Sequence, residues 1–306
     1  MKNYARTQTL KNNSISLWLN TTDIGKSPTE LHCESLGTAD KIAGGVVSIA
    51  LALFGSTGNI LVILVIWRTP NLRTICGILI SNLAIADLLA TAFTNVPFTF
   101  GQTKLCDDTT VLLRVALVII HISVAASLVT LTVLTIDRSF AICSPLRHRT
   151  FASFTKLKVI LLNIWIESPT LAILIDLYPQ SLYLWYVPTC GLLFCLAIIL
   201  TCGVLTIFYV RKMSLKIMDL HQTHDGGSSG GRMRHRNKQV AKTTALVIFL
   251  FLFSWTPLIV IRLLKRSVVL EYWFVTLGLA SSAVNPCVYF YRHRNYRQAL
   301  KRIVRQ

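Results

Sequence analysis

The sequence has few charged residues, and acidic residues are the scarcest of them. Only 14% of its 306 residues are Asp, Glu, Lys or Arg, and 13 acidic side chains stand against 31 basic ones. A soluble domain usually carries about 25% charged residues. This low content, together with 53% hydrophobic residues, indicates that lipid rather than water surrounds most of the chain.

Several chemical signatures are missing as well. The first forty residues contain no apolar segment of the signal-peptide type, and the eight cysteines follow no metal-binding spacing. The sequence has no zinc motif, no nucleophile elbow and no convergent set of histidines and carboxylates at membrane depth. These absences argue against an enzyme. The scattered histidines, His148 among them, are interpreted as loop residues.

Seven apolar stretches are long enough to cross a bilayer, for which a helix needs about 20 residues. They cover residues 42–67, 75–100, 111–136, 159–175, 177–210, 243–261 and 268–291. Because lipid cannot hydrogen-bond the backbone, each stretch is predicted to be helical. The sequence therefore predicts an all-α bundle of seven transmembrane helices over 42–291, with a flexible inner loop at about 214–238. A tail precedes it (1–41), and a short amphipathic helix follows in 292–306.

Basic residues gather after the first, third, fifth and seventh spans. By the positive-inside rule these loops and the C-terminus are cytoplasmic, so the N-terminus lies outside. The glycosylation sequons at Asn12 and Asn20 agree with this orientation. The basic surface then faces anionic membrane lipid, and no nucleic-acid partner is expected. We predict a multi-pass glycoprotein of the plasma membrane.

One acidic residue, Asp87, lies near the middle of the second span. A carboxylate there is costly, and its side chain is too short to reach the membrane surface, which favours a functional role. It requires polar partners from other spans. The candidates are Asn59, Ser127, Ser281, Ser282 and Asn285. With Asp87 they could hold a cation with water, or a proton.

Two prolines interrupt the last two spans. Pro257 follows Trp255 by two residues, and Pro286 directly follows Asn285. A proline inside a helix removes a hydrogen bond and bends the helix. Both spans are therefore predicted to be bent.

These residues belong to a larger series of motifs that occurs in order along the chain. The series comprises Gly58-Asn59, Asn82-Leu83-Ala84 with Asp87, Asp137-Arg138-Ser139, Pro145-Leu146, Trp165, Phe251 with Trp255 and Pro257, Asn285-Pro286 with Tyr289, and a terminal amphipathic segment containing Tyr296. In order and spacing the series resembles the rhodopsin-like (class A) G-protein-coupled receptors. A weaker similarity points to the branch that holds the melanocortin, cannabinoid, lysophospholipid and adenosine receptors.

The resemblance implies a mechanism. An extracellular ligand binds above Trp255, and the sixth span swings outward at its inner end. Arg138 then leaves Asp137 and helps to receive a heterotrimeric G protein, against which Leu146 packs. Pro257, Asn285, Pro286 and Tyr289 take part in the rearrangement. The resemblance also implies a resting-state sodium ion at Asp87, Ser127, Ser281 and Asn285; no other cofactor is expected.

The chain departs from the family in three ways. The usual disulfide is missing, because Leu113 occupies its third-span position and the second outer loop contains no cysteine; Cys33 and Cys106 are the best-placed alternative pair. The fifth span has no mid-span proline. No acid occurs between Arg232 and Arg262, so Arg138 has no salt-bridge partner on the sixth span, and we predict ligand-independent signalling.

The ligand is less well defined. Ile120 replaces the aspartate of amine receptors and Leu279 replaces the retinal-binding lysine of opsins, which argues against both classes. The candidate pocket residues are Asn95, Ile120, His121, Trp255, Arg262, Glu271 and Tyr272. Basic residues at the outer end of the sixth span favour an acidic ligand, and the apolar wall is compatible with a lipid. His121 is equally compatible with a core histidine. A non-signalling decoy receptor and a membrane transporter or channel remain alternatives.

Overall fold

The chain folds into a bundle of long α-helices. The computed structural model describes residues 37–94, 110–151, 153–178, 182–221, 245–261, 268–292 and 294–305. Within these residues the helices are α1 (Thr38–Arg68), α2 (Ile75–Phe93), α3 (Thr110–Cys143), α4 (Pro145–Phe151), α5 (Phe154–Leu177), α6 (Leu182–His221), α7 (Ala245–Ile261), α8 (Val268–Arg292) and α9 (Arg294–Val304). A 3-10 turn, Pro70–Leu72, joins α1 to α2.

Seven of these helices correspond to the predicted spans. In the part of the chain that the structure describes, six helices are long and apolar enough to cross a membrane, and the shorter apolar helix α7 supplies the seventh. The spans in chain order are α1, α2, α3, α5, α6, α7 and α8. The predicted all-α bundle with a short terminal helix is confirmed.

The structure differs from the prediction mainly at the helix ends. The helix α6 continues to His221, so the first residues of the predicted flexible loop are helical. Residues 211–221 contain neither glycine nor proline, and nothing in them stops a helix. The segment 145–151 forms the separate short helix α4, which hydropathy alone could not reveal. The remainder of the predicted loop and residues 95–100 lie outside the described residues.

The bundle buries two apolar layers on either side of Asp87. At the Arg138 end the layer includes Leu79 and Leu83 of α2, Leu131 of α3 and Phe251 of α7. At the opposite end a smaller layer contains Ala116, Ile120, Leu258, Tyr272, Val275 and Leu279. Many large apolar side chains on the outward faces are exposed, as expected for helices solvated by lipid.

The helix α1 packs closely against α2 and α8 at two glycines. A Cβ atom added at Gly55 would lie 2.5 Å from a methyl group of Thr91 and 2.9 Å from Cβ of Ala283. At Gly58 the added atom would lie 2.9 Å from Cβ of Pro286. Small residues allow membrane helices to approach in this way. This contact fixes α1 beside the polar centre of the bundle.

A chain of hydrogen bonds joins α2, α3 and α5. The indole of Trp165 on α5 donates to Asn82 Oδ1 on α2 at 2.7 Å. The amide of Asn82 donates in turn to the Thr130 hydroxyl on α3 at 2.8 Å. Because hydrogen bonds are stronger in the interior than in water, the chain fixes the relative orientation of the three helices.

Candidate functional site

Asp87 is buried at mid-bundle and is contacted by two other helices. The residue is 1% exposed. Its Oδ2 accepts a hydrogen bond from Asn285 Nδ2 on α8 at 2.7 Å, and its Oδ1 accepts one from the Ser127 hydroxyl on α3 at 3.3 Å. A buried carboxylate needs such donors, because an unpaired buried charge is costly. The structure thus brings together three of the four residues predicted to hold sodium.

The fourth predicted residue, Ser281, makes a different contact. Its hydroxyl donates to the Gly278 carbonyl on its own helix at 2.6 Å. The hydroxyl of the next residue, Ser282, lies near the Asp87 carboxyl. Neighbouring residues on a helix point about 100° apart, so the sequence could not choose between two adjacent serines. The hydroxyl of α8 that meets Asp87 is that of Ser282.

Asn59 of α1 brings a further oxygen to this region. Its amide donates to the carbonyls of Gly55 at 2.9 Å and Ser282 at 3.1 Å. Its Oδ1 is buried and has no hydrogen-bond partner among the described residues. No group of three His, Cys, Asp or Glu side chains gathers in the described part of the chain. The chemistry of the Asp87 centre is therefore that of one carboxylate among neutral oxygens, which suits a hard cation, water or a proton.

Arg138 lies near one end of α3 and is held by the residue before it. Its Nε donates to Asp137 Oδ2 at 2.9 Å, and Nη2 contacts the same oxygen. The other carboxylate oxygen, Oδ1, lies 2.8 Å from Nε2 of His148 on α4. The described part of the sixth span, α7, contains no acidic residue. Within the described residues, Arg138 is therefore restrained by its neighbour on α3 and not by α7.

Tyr296 of α9 lies within electrostatic range of Arg138, and a second tyrosine packs against it. The Tyr289 ring on α8 stacks against Tyr296 on α9, with ring centres 6.5 Å apart. The Tyr289 hydroxyl is buried without a hydrogen-bond partner among the described residues. Burial raises the pKa of the Tyr296 hydroxyl well above its usual range, so this phenol stays neutral. The Tyr296 ring can therefore rearrange without moving a charge.

The two predicted bends lie on helices that meet at Trp255. Pro286 lies inside α8, and Pro257 lies on α7. The Trp255 ring packs on Phe251, with ring centres 6.2 Å apart. It also lies against the bare backbone of Gly278, where an added Cβ would be 3.0 Å from the indole. Movement of α7 must therefore displace this tryptophan along α8.

The candidate ligand pocket is mainly apolar where the structure describes it. Ile120 and Tyr272 are buried members of the smaller apolar layer, and Trp255 packs against that layer. His121 Nδ1 lies 2.8 Å from the Leu117 carbonyl of its own helix, which fits the interpretation as a core histidine. Glu271 is partly buried in the first turn of α8. The structure thus brings Ile120, Trp255 and Tyr272 together.

The remaining predicted site residues lie outside the described residues. These are the sequons Asn12 and Asn20, the cysteines Cys33 and Cys106, and the pocket candidates Asn95 and Arg262. Their glycosylation, pairing and ligand contacts stay predictions.

An ion pair occurs near the position of the missing disulfide. Arg114 of α3 donates from Nε to Asp176 Oδ1 at 3.2 Å and from Nη2 to Oδ2 at 2.9 Å. Arg114 directly follows Leu113, which stands where the family's third-span cysteine would be. This two-bond contact joins the ends of α3 and α5. Both side chains are partly exposed, so we expect it to contribute less than about 1 kcal/mol to stability.

His148 is the functional candidate that the sequence did not reveal. Its sequence context predicts a loop residue, yet it lies in helix α4 and contacts Asp137. The Pro145-Leu146 motif identified the segment, but no sequence pattern predicts that a histidine three residues after a proline contacts Asp137.

Comparison with known proteins gives consistent matches. Residues 58–289 match the family model described as 7 transmembrane receptor (rhodopsin family). The rat somatostatin receptor type 4 is 26% identical, with 90% of this chain and 76% of the receptor covered. The rat somatostatin receptor type 1 is also 26% identical, with 92% and 76% covered.

A solved structure with the same fold is that of squid rhodopsin. It superposes with a TM-score of 0.80 and 19% sequence identity, covering 94% of this chain and 92% of that protein. At this identity the similarity concerns the fold alone. The match extends over the seven spans described above.

Proposed function

The chain belongs to the rhodopsin family of seven-transmembrane receptors, and we propose that it transmits ligand binding at its outer end to Arg138 at its inner end. Members of this family are G-protein-coupled receptors, so the chain is a multi-pass membrane receptor and not an enzyme. The observation that carries the proposal is the Asp137–Arg138 contact. Arg138 becomes available to a Gα subunit when this contact breaks.

The test is nucleotide exchange by the purified receptor. The chain is reconstituted in lipid nanodiscs with heterotrimers of each Gα class, and GTP analogue uptake is measured without added ligand. Because no acid on α7 restrains Arg138, we expect exchange above the spontaneous rate with at least one class. Absence of exchange with every class, with or without ligand panels, would favour the decoy receptor. Solute flux in liposomes would instead favour a transporter or channel.

We propose a sodium ion at Asp87 in the resting receptor. Its support is the buried carboxylate together with the nearby hydroxyls of Ser127 and Ser282 and the side-chain amide of Asn285. A cation that binds one of two states shifts the equilibrium towards that state. Replacing choline chloride by sodium chloride at constant ionic strength is expected to lower basal exchange about threefold, and Asp87→Asn should remove this effect.

The matched control for the sodium experiment is Asp40→Asn. Asp40 accepts a hydrogen bond from the Trp273 indole at 3.0 Å and lies in the first turn of α1, far along that helix from Asn59. The control should keep the full sodium response. Equal responses of the native chain and Asp87→Asn would contradict the sodium site.

The orientation of the receptor is proposed from its basic loops. With Arg138 and α9 in the cytoplasm, the N-terminus lies outside the plasma membrane, where Asn12 and Asn20 would be glycosylated. The exposed basic side chains of α9, among them Lys301 and Arg302, then face the anionic inner surface and its lipids. Loss of a glycosidase-sensitive mass shift in an Asn12→Gln, Asn20→Gln double variant would support this orientation. A native chain without any glycan would count against it.

The buried part of the ligand is proposed to be apolar. The wall formed by Ile120, Leu258, Val275 and Leu279 is apolar and has no charged group that could pair with a buried cation. The names of the somatostatin receptors state that those relatives bind somatostatin, which keeps a ligand of that kind as the alternative. Acidic lipids and peptides are the first panels to test, and Arg262→Gln should weaken an acidic agonist if Arg262 contacts it.

A further inference from the structure

The helix α4 is tied to the Asp137–Arg138 pair by one histidine. His148 Nε2 lies 2.8 Å from Asp137 Oδ1, while Arg138 occupies Oδ2. The His148 ring also meets Phe140 of α3 edge-on, with ring centres 5.9 Å apart. The side chains of His148 and Arg138 are both 20% exposed. A single carboxylate is thus shared by two basic side chains from two helices.

The position of His148 determines the direction in which the opposite face of α4 points. Leu146 precedes it by two residues, about 200° around the helix, and is 80% exposed. A helix of seven residues is marginal by itself. Two backbone hydrogen bonds also attach α4 to α3. The Ser144 amide donates to the Phe140 carbonyl, and the His148 amide donates to the Ser144 carbonyl. The contact with Asp137 therefore keeps Leu146 pointing away from the bundle.

We propose that His148 is a positioning residue for G-protein coupling whose hold on Asp137 strengthens when the cytoplasm becomes acidic. The inference rests on the proposed function of Arg138 and Leu146. A cationic imidazole attracts the Asp137 carboxylate more strongly and fixes α4. The same positive charge repels Arg138 and competes for its carboxylate. Both effects favour the coupling-competent state.

Among the described residues, one acidic and two basic side chains lie near the histidine. The helix packed against α4 is α3, and it contributes Asp137 and Arg138. The exposed Arg147 precedes His148 on α4 itself. Cys76 of α2 and Tyr296 of α9 lie within electrostatic range of the Arg138 guanidinium. Histidine is the side chain whose ordinary change of charge falls between pH 5 and 8.

The test measures nucleotide exchange in nanodiscs between pH 6 and pH 8, divided by the spontaneous exchange of the G protein at each pH. The native receptor is expected to be about threefold more active at pH 6. His148→Gln keeps a hydrogen-bond donor but cannot titrate, so it should show the activity of the native receptor at pH 8 and a flat profile. His148→Ala should be about fivefold less active at both pH values. His221→Gln, at the end of α6, is the matched control and should keep the native profile.

A second measurement separates this inference from the proposed function. Amide hydrogen exchange of residues 145–151, corrected for the intrinsic effect of pH, should show greater protection at pH 6 than at pH 8 in the native chain. His148→Gln should remove this difference. The hydrogen-exchange result stands even if no G protein responds, in which case only the proposed function fails. A native pH profile in His148→Gln, or native activity in His148→Ala, would overturn the role of His148.

Discussion

Replacement of Arg138 by alanine is expected to reduce receptor-stimulated nucleotide exchange by at least about thirtyfold, as for an arginine hot spot worth 2 kcal/mol or more. Arg138 is the proposed contact with the Gα subunit, and in this structure it is bonded to Asp137. Alanine removes both the guanidinium and its hydrogen bonds. The measurement is GTP analogue uptake in nanodiscs, with receptor content matched by mass.

The control for this substitution is Lys158→Ala. Lys158 is an exposed basic residue near the start of α5, and its loss changes net charge by the same amount. Its exchange rate should stay within about twofold of the native rate, because a surface charge outside the contact contributes little. A similar loss in both variants would show that general positive charge, and not Arg138 itself, is responsible.

Replacement of Gly55 by leucine is expected to destabilise the bundle by about 3 kcal/mol or more, at the upper end of the cost of overpacking. The close approach of α1 to α2 and α8 leaves no space for a side chain there. Cβ of Ala283, only 2.9 Å from the added Cβ, is fixed to its backbone and cannot rotate away. The apparent melting temperature and the surface yield of the receptor measure the effect.

The matched control lies on the same helix. A Cβ atom added at Gly45 would meet nothing within 4 Å, so Gly45→Leu extends into open space. We expect unchanged or slightly higher stability, because glycine in a helix is less favourable than alanine by roughly 0.5–1 kcal/mol. If the two variants behaved alike, helix propensity rather than packing would explain the Gly55 result.

The sequence predicted the spans because lipid imposes one requirement on each of them, a long apolar helix. It also predicted that Asp87, Ser127 and Asn285 would meet, since a carboxylate at mid-membrane needs polar partners. The choice between Ser281 and Ser282 could not be made in this way. That choice depends on how α8 is rotated about its own axis, and packing near Pro286 sets this rotation.

Other features depended on contacts that no periodic pattern encodes. The helix α4 is short, polar and basic, so neither hydropathy nor amphipathicity predicted it. The contact of His148 with Asp137 joins residues eleven positions apart through a turn at Ser144. The Arg114–Asp176 pair joins distant segments, and its residues resemble ordinary charges at helix ends. In each case the missing information was the relative position of two elements.

The Arg114–Asp176 contact also has a consequence for how the receptor can be prepared. In relatives with the usual bridge, sulfur chemistry must close the corresponding junction, which requires an oxidising compartment. Here the ion pair between Arg114 and Asp176 joins the ends of α3 and α5. That junction can therefore assemble in the membrane of a reducing host, and dithiothreitol cannot open it.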